Sequence, residues 1–201
     1  IFIVPKDAKP QLLEKILSQY SGSVLIFTRT KHGAKKVMRS VRAMGHVSAE
    51  IHSNRSLAQR KDALEGFKTG RYRVLVATDI AARGIDVRGI ELVINYDLPG
   101  HAEDYVHRIG RTARAGAEGH AISFAMPDEQ YEVRAIERLI RRQLPISQLP
   151  ELPPLRFIPP APPEFPPRRS FSHGPRRPQP SRPFRSGGYR HSRGRGTFGR
   201  R

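Results

Sequence analysis

Residues 73–86, RVLVATDIAARGID, hold the plan of the chain in miniature. The first six, RVLVAT (73–78), enclose the unbroken apolar run VLVA, the mark of a strand covered on both faces. Then the character changes: Thr78, Asp79, small residues, Arg83 and Gly84 make a polar turn where a short helix can begin. VLIFT (24–28) and ELVINY (91–96) repeat the buried-strand pattern, IFIV (1–4) and Val47–His52 read as shorter strands, and 119–126 adds another. Helical stripes lie between them: Leu12, Leu13, Ile16 and Leu17 within Pro5–Tyr20; Ala34, Val37, Val41 and Met44 within 30–44, stopped by Gly45; Leu57, Leu64 and Phe67 after a Ser56 cap, ending at Gly70. Residues 101–113 and 128–142 complete the series. Strands alternating with helices of this length predict an α/β fold with a mainly parallel sheet flanked by helices on both faces.

In such sheets ligands sit beyond the carboxyl ends of the strands. That rule selects the segments after Phe27, Ala77 and Tyr96, and the stretch YVHRIGRTARAG (105–116). If the last is helical, His107, Arg111 and Arg114 at i, i+4 and i+7 share one face. Two arginines and a histidine backed by Gly110 suit a multidentate anion such as a polyphosphate. A solvated basic face is the alternative reading.

Composition divides the chain. Residues 151–201 hold 12 Arg, no Lys and only Glu151 and Glu164, a net +10, whereas the first 150 residues carry 24 basic and 16 acidic side chains, a net +8. Twelve of the 18 prolines follow residue 150. The expected organisation is therefore a globular domain over 1–145, a Pro-rich linker over 146–167, and a disordered Arg/Gly/aromatic tail over 168–201. In that tail Arg can hold phosphates while Phe171, Phe184, Tyr189 and Phe198 stack on unpaired bases. A pI near 11.2 points to a polyanionic partner, nucleic acid first. Cysteine is absent, which removes disulfides, thiolate chemistry and Cys-type zinc sites. No run approaches the ~18 apolar residues of a membrane span. A cytoplasmic, monomeric protein without membrane attachment is expected. Ile1 opens on a strand already in progress, as a piece of a longer chain would.

VLIFTRT (24–30), ATDIAARGID (77–86) and HRIGRTARAG (107–116), with INYDLP (94–99) between the last two, resemble in order and spacing the blocks of the second RecA-like domain of DEAD-box RNA helicases, a superfamily-2 group. The resemblance covers about residues 1–145. His107 at the head of the last block favours DEAD-box proteins over other superfamily-2 helicases. The wording EGFKTGRYRVLVATDIAARGIDV (65–87) and the basic tail look most like bacterial RhlE-type proteins.

The resemblance implies ATP as the nucleotide and RNA as the partner. It puts Arg111 and Arg114 in the arginine-finger role on the γ-phosphate, and matches Asp86 to a carboxylate on the ribose hydroxyls, with Gly84 giving backbone access. His107 and Arg108 then look like nucleotide-side organisers of an interdomain interface, or Arg108 pairs with an acidic neighbour. Thr28, Arg29, Thr30, Arg60 and Thr78 match RNA contacts, with Thr30 as a helix cap the alternative reading. Arg83 either joins the two sites or pairs with an acid, and Asp79 reads better as an N-cap. The chain departs from the pattern at Leu57, where Gln is usual, and at Ser53 and Ala113, where Gly is frequent. It has no G-x-x-x-x-G-K-[ST] loop and no Asp-Glu-Ala-Asp sequence. Mg²⁺ and the β-phosphate would then be held mainly by a missing N-terminal RecA-like domain, and this chain alone is expected not to hydrolyse ATP. The other reading is a non-catalytic RNA-binding adaptor.

Overall fold

The computed structural model describes residues 1–82, 87, 89–112 and 119–154. Six strands form one sheet in the order β1-β6-β5-β2-β4-β3, and every neighbouring pair is parallel. The strands are β1 (Phe2–Ile3), β2 (Val24–Phe27), β3 (Ser48–Ile51), β4 (Val74–Ala77), β5 (Leu92–Asn95) and β6 (His120–Ala125). The helices are α1 (Lys9–Gln19), α2 (Lys31–Ala43), α3 (Leu57–Lys68), α4 (Asp79–Ala82), α5 (Ala102–Ile109) and α6 (Gln130–Ile140), with a 3-10 turn at Lys6–Ala8.

Successive strand residues point to opposite faces, and the core shows it. Val24, Ile26, Val74, Val76, Leu92 and Ile94 face α1 and α2, meeting Leu12, Leu13, Ile16, Leu17, Ala34, Val37 and Val41. Their neighbours Leu25, Phe27, Leu75, Ala77 and Val93 face the other way, onto Ala63 and Phe67 of α3. A third cluster, with Leu98, Tyr105, Ala125, Val133 and Ile136, fixes α5 and α6 beside β6 and β1. Both faces of the central strands are covered, so those strands carry no polar alternation.

Helix ends follow local chemistry. Pro10 sits in the first turn of α1, where its missing N–H costs nothing. Ser56 and Gln59 form a reciprocal capping box at the start of α3. Gly45 (φ 91°) and Gly70 (φ 77°) turn the chain out of α2 and α3 through the left-handed region. Leu57 departs from the expected stripe: at the first position of α3 it is 67 % exposed. Residues 146–153, assigned above to the linker, lie against the domain. The Ser147 N–H donates to the Ile1 carbonyl (2.8 Å), Gln11 Nε2 donates to the Pro153 carbonyl (2.7 Å), and Leu152 packs on the α1 side of the core.

Candidate nucleotide and RNA interface

Because all six strands run the same way, the ends of β2, β4 and β5 open onto one side of the sheet. The turn after β2 carries Thr28, Arg29 and Thr30. Thr28 is fully buried, its N–H on the Ala77 carbonyl (3.0 Å) and its hydroxyl donating to the Thr30 carbonyl (3.3 Å). Its hydroxyl has no exposed surface here and shapes the turn. Thr30 is exposed and caps α2, its Oγ1 accepting from the Gly33 N–H (3.0 Å). Arg29 projects outward with its side chain 46 % exposed, steadied by Nε on the Leu98 carbonyl (3.2 Å) and Nη2 on Glu129 Oε1 (2.8 Å).

After β4, Thr78 is half-buried, its N–H on the Ile51 carbonyl (3.2 Å). Arg60 reaches over from α3, with Nη2 on the Ala81 carbonyl (3.3 Å), so the β4 turn and α3 meet at that guanidinium. Asp79 opens α4, but its carboxylate does not cap it. Both oxygens accept from Arg108, at 2.5 Å from Nε and 2.7 Å from Nη2.

Arg108, expected either at the interdomain interface or paired with an acid, lies inside the domain. Its side chain is 2 % exposed. Besides the fork on Asp79, Nη1 donates to Asn95 Oδ1 (3.1 Å) and to the Asp97 carbonyl (2.7 Å), and the guanidinium lies 5.1 Å from the centre of the Phe27 ring. The enclosed guanidinium braces β4, β5 and α5, and the acidic neighbour of the pairing reading is Asp79.

α5 also ends earlier than expected. It stops at Ile109, and the Gly110 N–H closes on the Val106 carbonyl. A side chain on Gly110 would bring a Cβ to 3.2 Å from that carbonyl oxygen, tighter than ordinary contact. Arg111 therefore lies in the turn after the helix rather than on its face, its Nε on the His107 carbonyl (3.2 Å). His107 is exposed, with Nδ1 4.0 Å from Asp104 Oδ1. Thr112 anchors the turn by donating from Oγ1 to the Ile90 carbonyl (2.6 Å). Arg83, Gly84, Asp86, Ala113 and Arg114 lie outside the described residues, as do residues 155–201.

Two polar side chains that sequence reasoning passed over complete the site. Lys9 is 2 % exposed, with Nζ on the Tyr96 carbonyl (2.8 Å) and Asp97 Oδ1 (3.2 Å). The other oxygen of Asp97 accepts the Arg29 N–H (3.1 Å). Burial, with Asp97 nearby, pushes the Tyr96 phenol far above its ordinary value, so that ring stays neutral. Asp97 was visible inside INYDLP, but nothing in a helix-opening lysine announces that it will be buried. Among the described residues, no group of three or more His, Cys, Asp or Glu is placed to hold a metal.

Residues 8–116 match the helicase conserved C-terminal domain. This chain belongs to that family. Among solved structures, E. coli DEAD-box protein SrmB, in complex with regulator of ribonuclease activity A, superposes with a TM-score of 0.69 at 31 % identity, over 74 % of this chain and 88 % of that one. S. cerevisiae Dbp5 bound to RNA and ADP BeF3 gives 0.66 at 31 % identity, over 74 % of this chain and 40 % of that one. The ATP-dependent RNA helicase dbp2 of Aspergillus clavatus is 44 % identical over 135 residues, 67 % of this chain. This helicase C-terminal domain, of the DEAD-box kind and with the RecA-like sheet, spans about a quarter of the length of the curated relatives it matches.

Proposed function

We propose that this domain is the C-terminal half of an ATP-dependent DEAD-box RNA helicase, contributing arginine fingers and part of the RNA surface to ATP-driven local unwinding of RNA duplexes. One observation carries the proposal. Thr78, the RNA-side residue, is followed at once by Asp79, whose carboxylate grips Arg108 three residues before Arg111. In this reading the Asp79–Arg108 ion pair would link the RNA side to the nucleotide side.

In this reading Arg29, Arg60, Thr30 and Thr78 line the RNA side, using charge and hydroxyls on the phosphate backbone without reading bases. Thr28 holds that turn rather than touching RNA. On the nucleotide side Arg111, with Arg114, neutralises charge that develops on the γ-phosphate, a contribution of roughly 10³–10⁵ in rate in well-studied nucleotide hydrolases. His107 stands exposed beside Arg111 for the opposing domain, and Asp86 and Gly84 serve the ribose. Arg83 joins the two sites. Mg²⁺, held mainly by the other domain, would supply positive charge at the phosphates. S. cerevisiae Dbp5, a structural neighbour, is bound to RNA and ADP BeF3, the two ligand classes proposed here. The proposal extends to a monomeric cytoplasmic protein of the bacterial RhlE type, a reading drawn from residues 65–87 and the basic tail.

The test uses the two-domain parent protein. Arg111→Ala should lower the RNA-stimulated kcat of ATP hydrolysis by about 10³-fold or more with nucleotide affinity nearly unchanged. A variant that keeps its turnover removes Arg111 from the chemistry. The present chain alone should show no RNA-stimulated hydrolysis.

A further inference from the structure

α6 takes no part in the site described above, yet it starts there. Glu129, the residue before its first turn, holds the Arg29 guanidinium. From that point α6 runs about 16 Å at ~1.5 Å per residue. Val133 and Ile136 bury one face. The opposite face carries Tyr131, Arg134 and Arg138, spaced i, i+3 and i+7, all exposed; Tyr131 is 73 % exposed. Arg138 lies over Tyr131 with its guanidinium carbon 6.0 Å from the ring centre.

The end of the helix adds two more cations. Arg141, the C-cap, takes the left-handed conformation in which many helices end, φ 53°, alone among the described non-glycine residues. Here it folds the chain back, with the Arg142 N–H on the Glu137 carbonyl (3.2 Å). A concavity of about 440 Å³ results, lined by Arg134, Glu137, Arg138, Arg141, Arg142 and Gln143. Glu137 commits one carboxylate oxygen to the Leu144 N–H (2.9 Å). Among the described residues no ion pair holds any of the four arginines.

We infer that the outer face of α6 is a second nucleic-acid surface, on which Arg134, Arg138, Arg141 and Arg142 take the phosphates of single-stranded RNA and Tyr131 stacks on an unpaired base. An aromatic interleaved with arginines is the composition such surfaces use. Arg138 over the Tyr131 ring gives phosphate and base contacts from one patch. This rests on the RNA-binding reading of the preceding subsection, but concerns residues that reading does not use.

The experiment measures the affinity of the full chain for a mixed-sequence single-stranded RNA dodecamer across a salt series. Arg134→Gln with Arg138→Gln should flatten the plot of log K against log salt by about 1.4, two phosphate contacts at ~0.7 each. Lys6→Gln with Lys68→Gln, an equal loss of charge at two exposed positions elsewhere, should leave the slope unchanged. Tyr131→Ala should weaken RNA binding about fivefold or more with the slope retained, and leave binding of inorganic polyphosphate, which has no bases, untouched. Equal slopes for wild type and the Arg134/Arg138 variant overturn the inference while RNA binding elsewhere stands. Equal flattening in the lysine control overturns it too, as does polyglutamate binding as tight as RNA and equally weakened by the arginine changes, which would mark a surface for acidic protein. Failure of the wild-type chain to bind RNA at all removes both this inference and the reading beneath it.

Discussion

The pair Asp79–Arg108 sets a sharp test, because Asp79→Asn keeps the shape and removes only the counter-charge. The Arg108 side chain is 2 % exposed and that of Asp79 23 %. Breaking a buried ion pair from one side costs about 3–5 kcal/mol, most of it from the charge left without a partner. Two features reduce the figure here: water reaches part of the Asp79 carboxylate, and Arg108 keeps Asn95 Oδ1 and the Asp97 carbonyl. The expected loss is therefore about 2–3 kcal/mol. For a domain of this size that corresponds to a fall in Tm of roughly 4–12 °C. Urea and thermal unfolding of the chain measure it. Arg108→Met supplies the other arm of a double-mutant cycle, keeping the contact with Phe27 while removing the charge. If the pair acts as described, the double variant loses less than the sum of the singles by about 1 kcal/mol or more. A loss under about 0.5 kcal/mol for Asp79→Asn, the value of an exposed pair, would refute the picture of Arg108 as an internal brace.

Two further outcomes concern stability alone. Burial, then the adjacent Arg73 guanidinium, lower the His46 pKa from its usual value, with Glu14 partly opposing, and Arg73 Nη1 lies 2.8 Å from His46 Nδ1. The unfolded chain therefore takes up this proton before the folded one does, so His46 costs nothing above about pH 6.5 and destabilises increasingly as the pH falls below it. Comparing urea midpoints at pH 7.5 and 5.5, wild type should lose more than His46→Gln; parallel losses would contradict this. Ser56→Ala removes half of the α3 capping box and should cost about 1 kcal/mol in urea unfolding, an unchanged midpoint counting against the cap.

The sheet was legible because continuous apolar runs leave little choice: 24–28, 73–78, 91–96 and 119–126 each contain an observed strand within a residue or so of their limits. Helix stripes and the Ser56 cap came from the same kind of signal, the i, i+3, i+4 period and a hydroxyl ahead of it. What the sequence showed least was which polar residues would be buried. Arg108, Lys9 and Thr28 are polar residues whose burial depends on partners far along the chain: Asp79 at 29 residues for Arg108, Asp97 at 88 for Lys9. A single-sequence pattern sees an exposed cation and cannot see the distant carboxylate that makes its burial tolerable. The early end of α5 is a smaller matter, since Gly110 stood in the sequence as a stop signal beside a run of helix-compatible residues. Arg134 and Arg138 were readable as charges on an amphipathic helix, but the left-handed turn at Arg141 that gathers Arg142 beside them was not.

One feature of the fold bears on how the domain can be rearranged. The first strand and residues 146–147 lie side by side, joined by the Ser147 to Ile1 hydrogen bond and a parallel bridge between Phe2 and Ser147. Residue 1 and the stretch leaving the sheet are thus neighbours at the β1 edge, three strands away from β2. A domain cut at two such neighbouring points tolerates circular permutation. A short Gly/Ser bridge from the 146–154 segment back to Ile1, with the chain reopened at the exposed Gly70 turn, would keep every strand pairing while placing new termini between α3 and β4. The order in which the sheet is written along the chain is then separable from the order in which it is built.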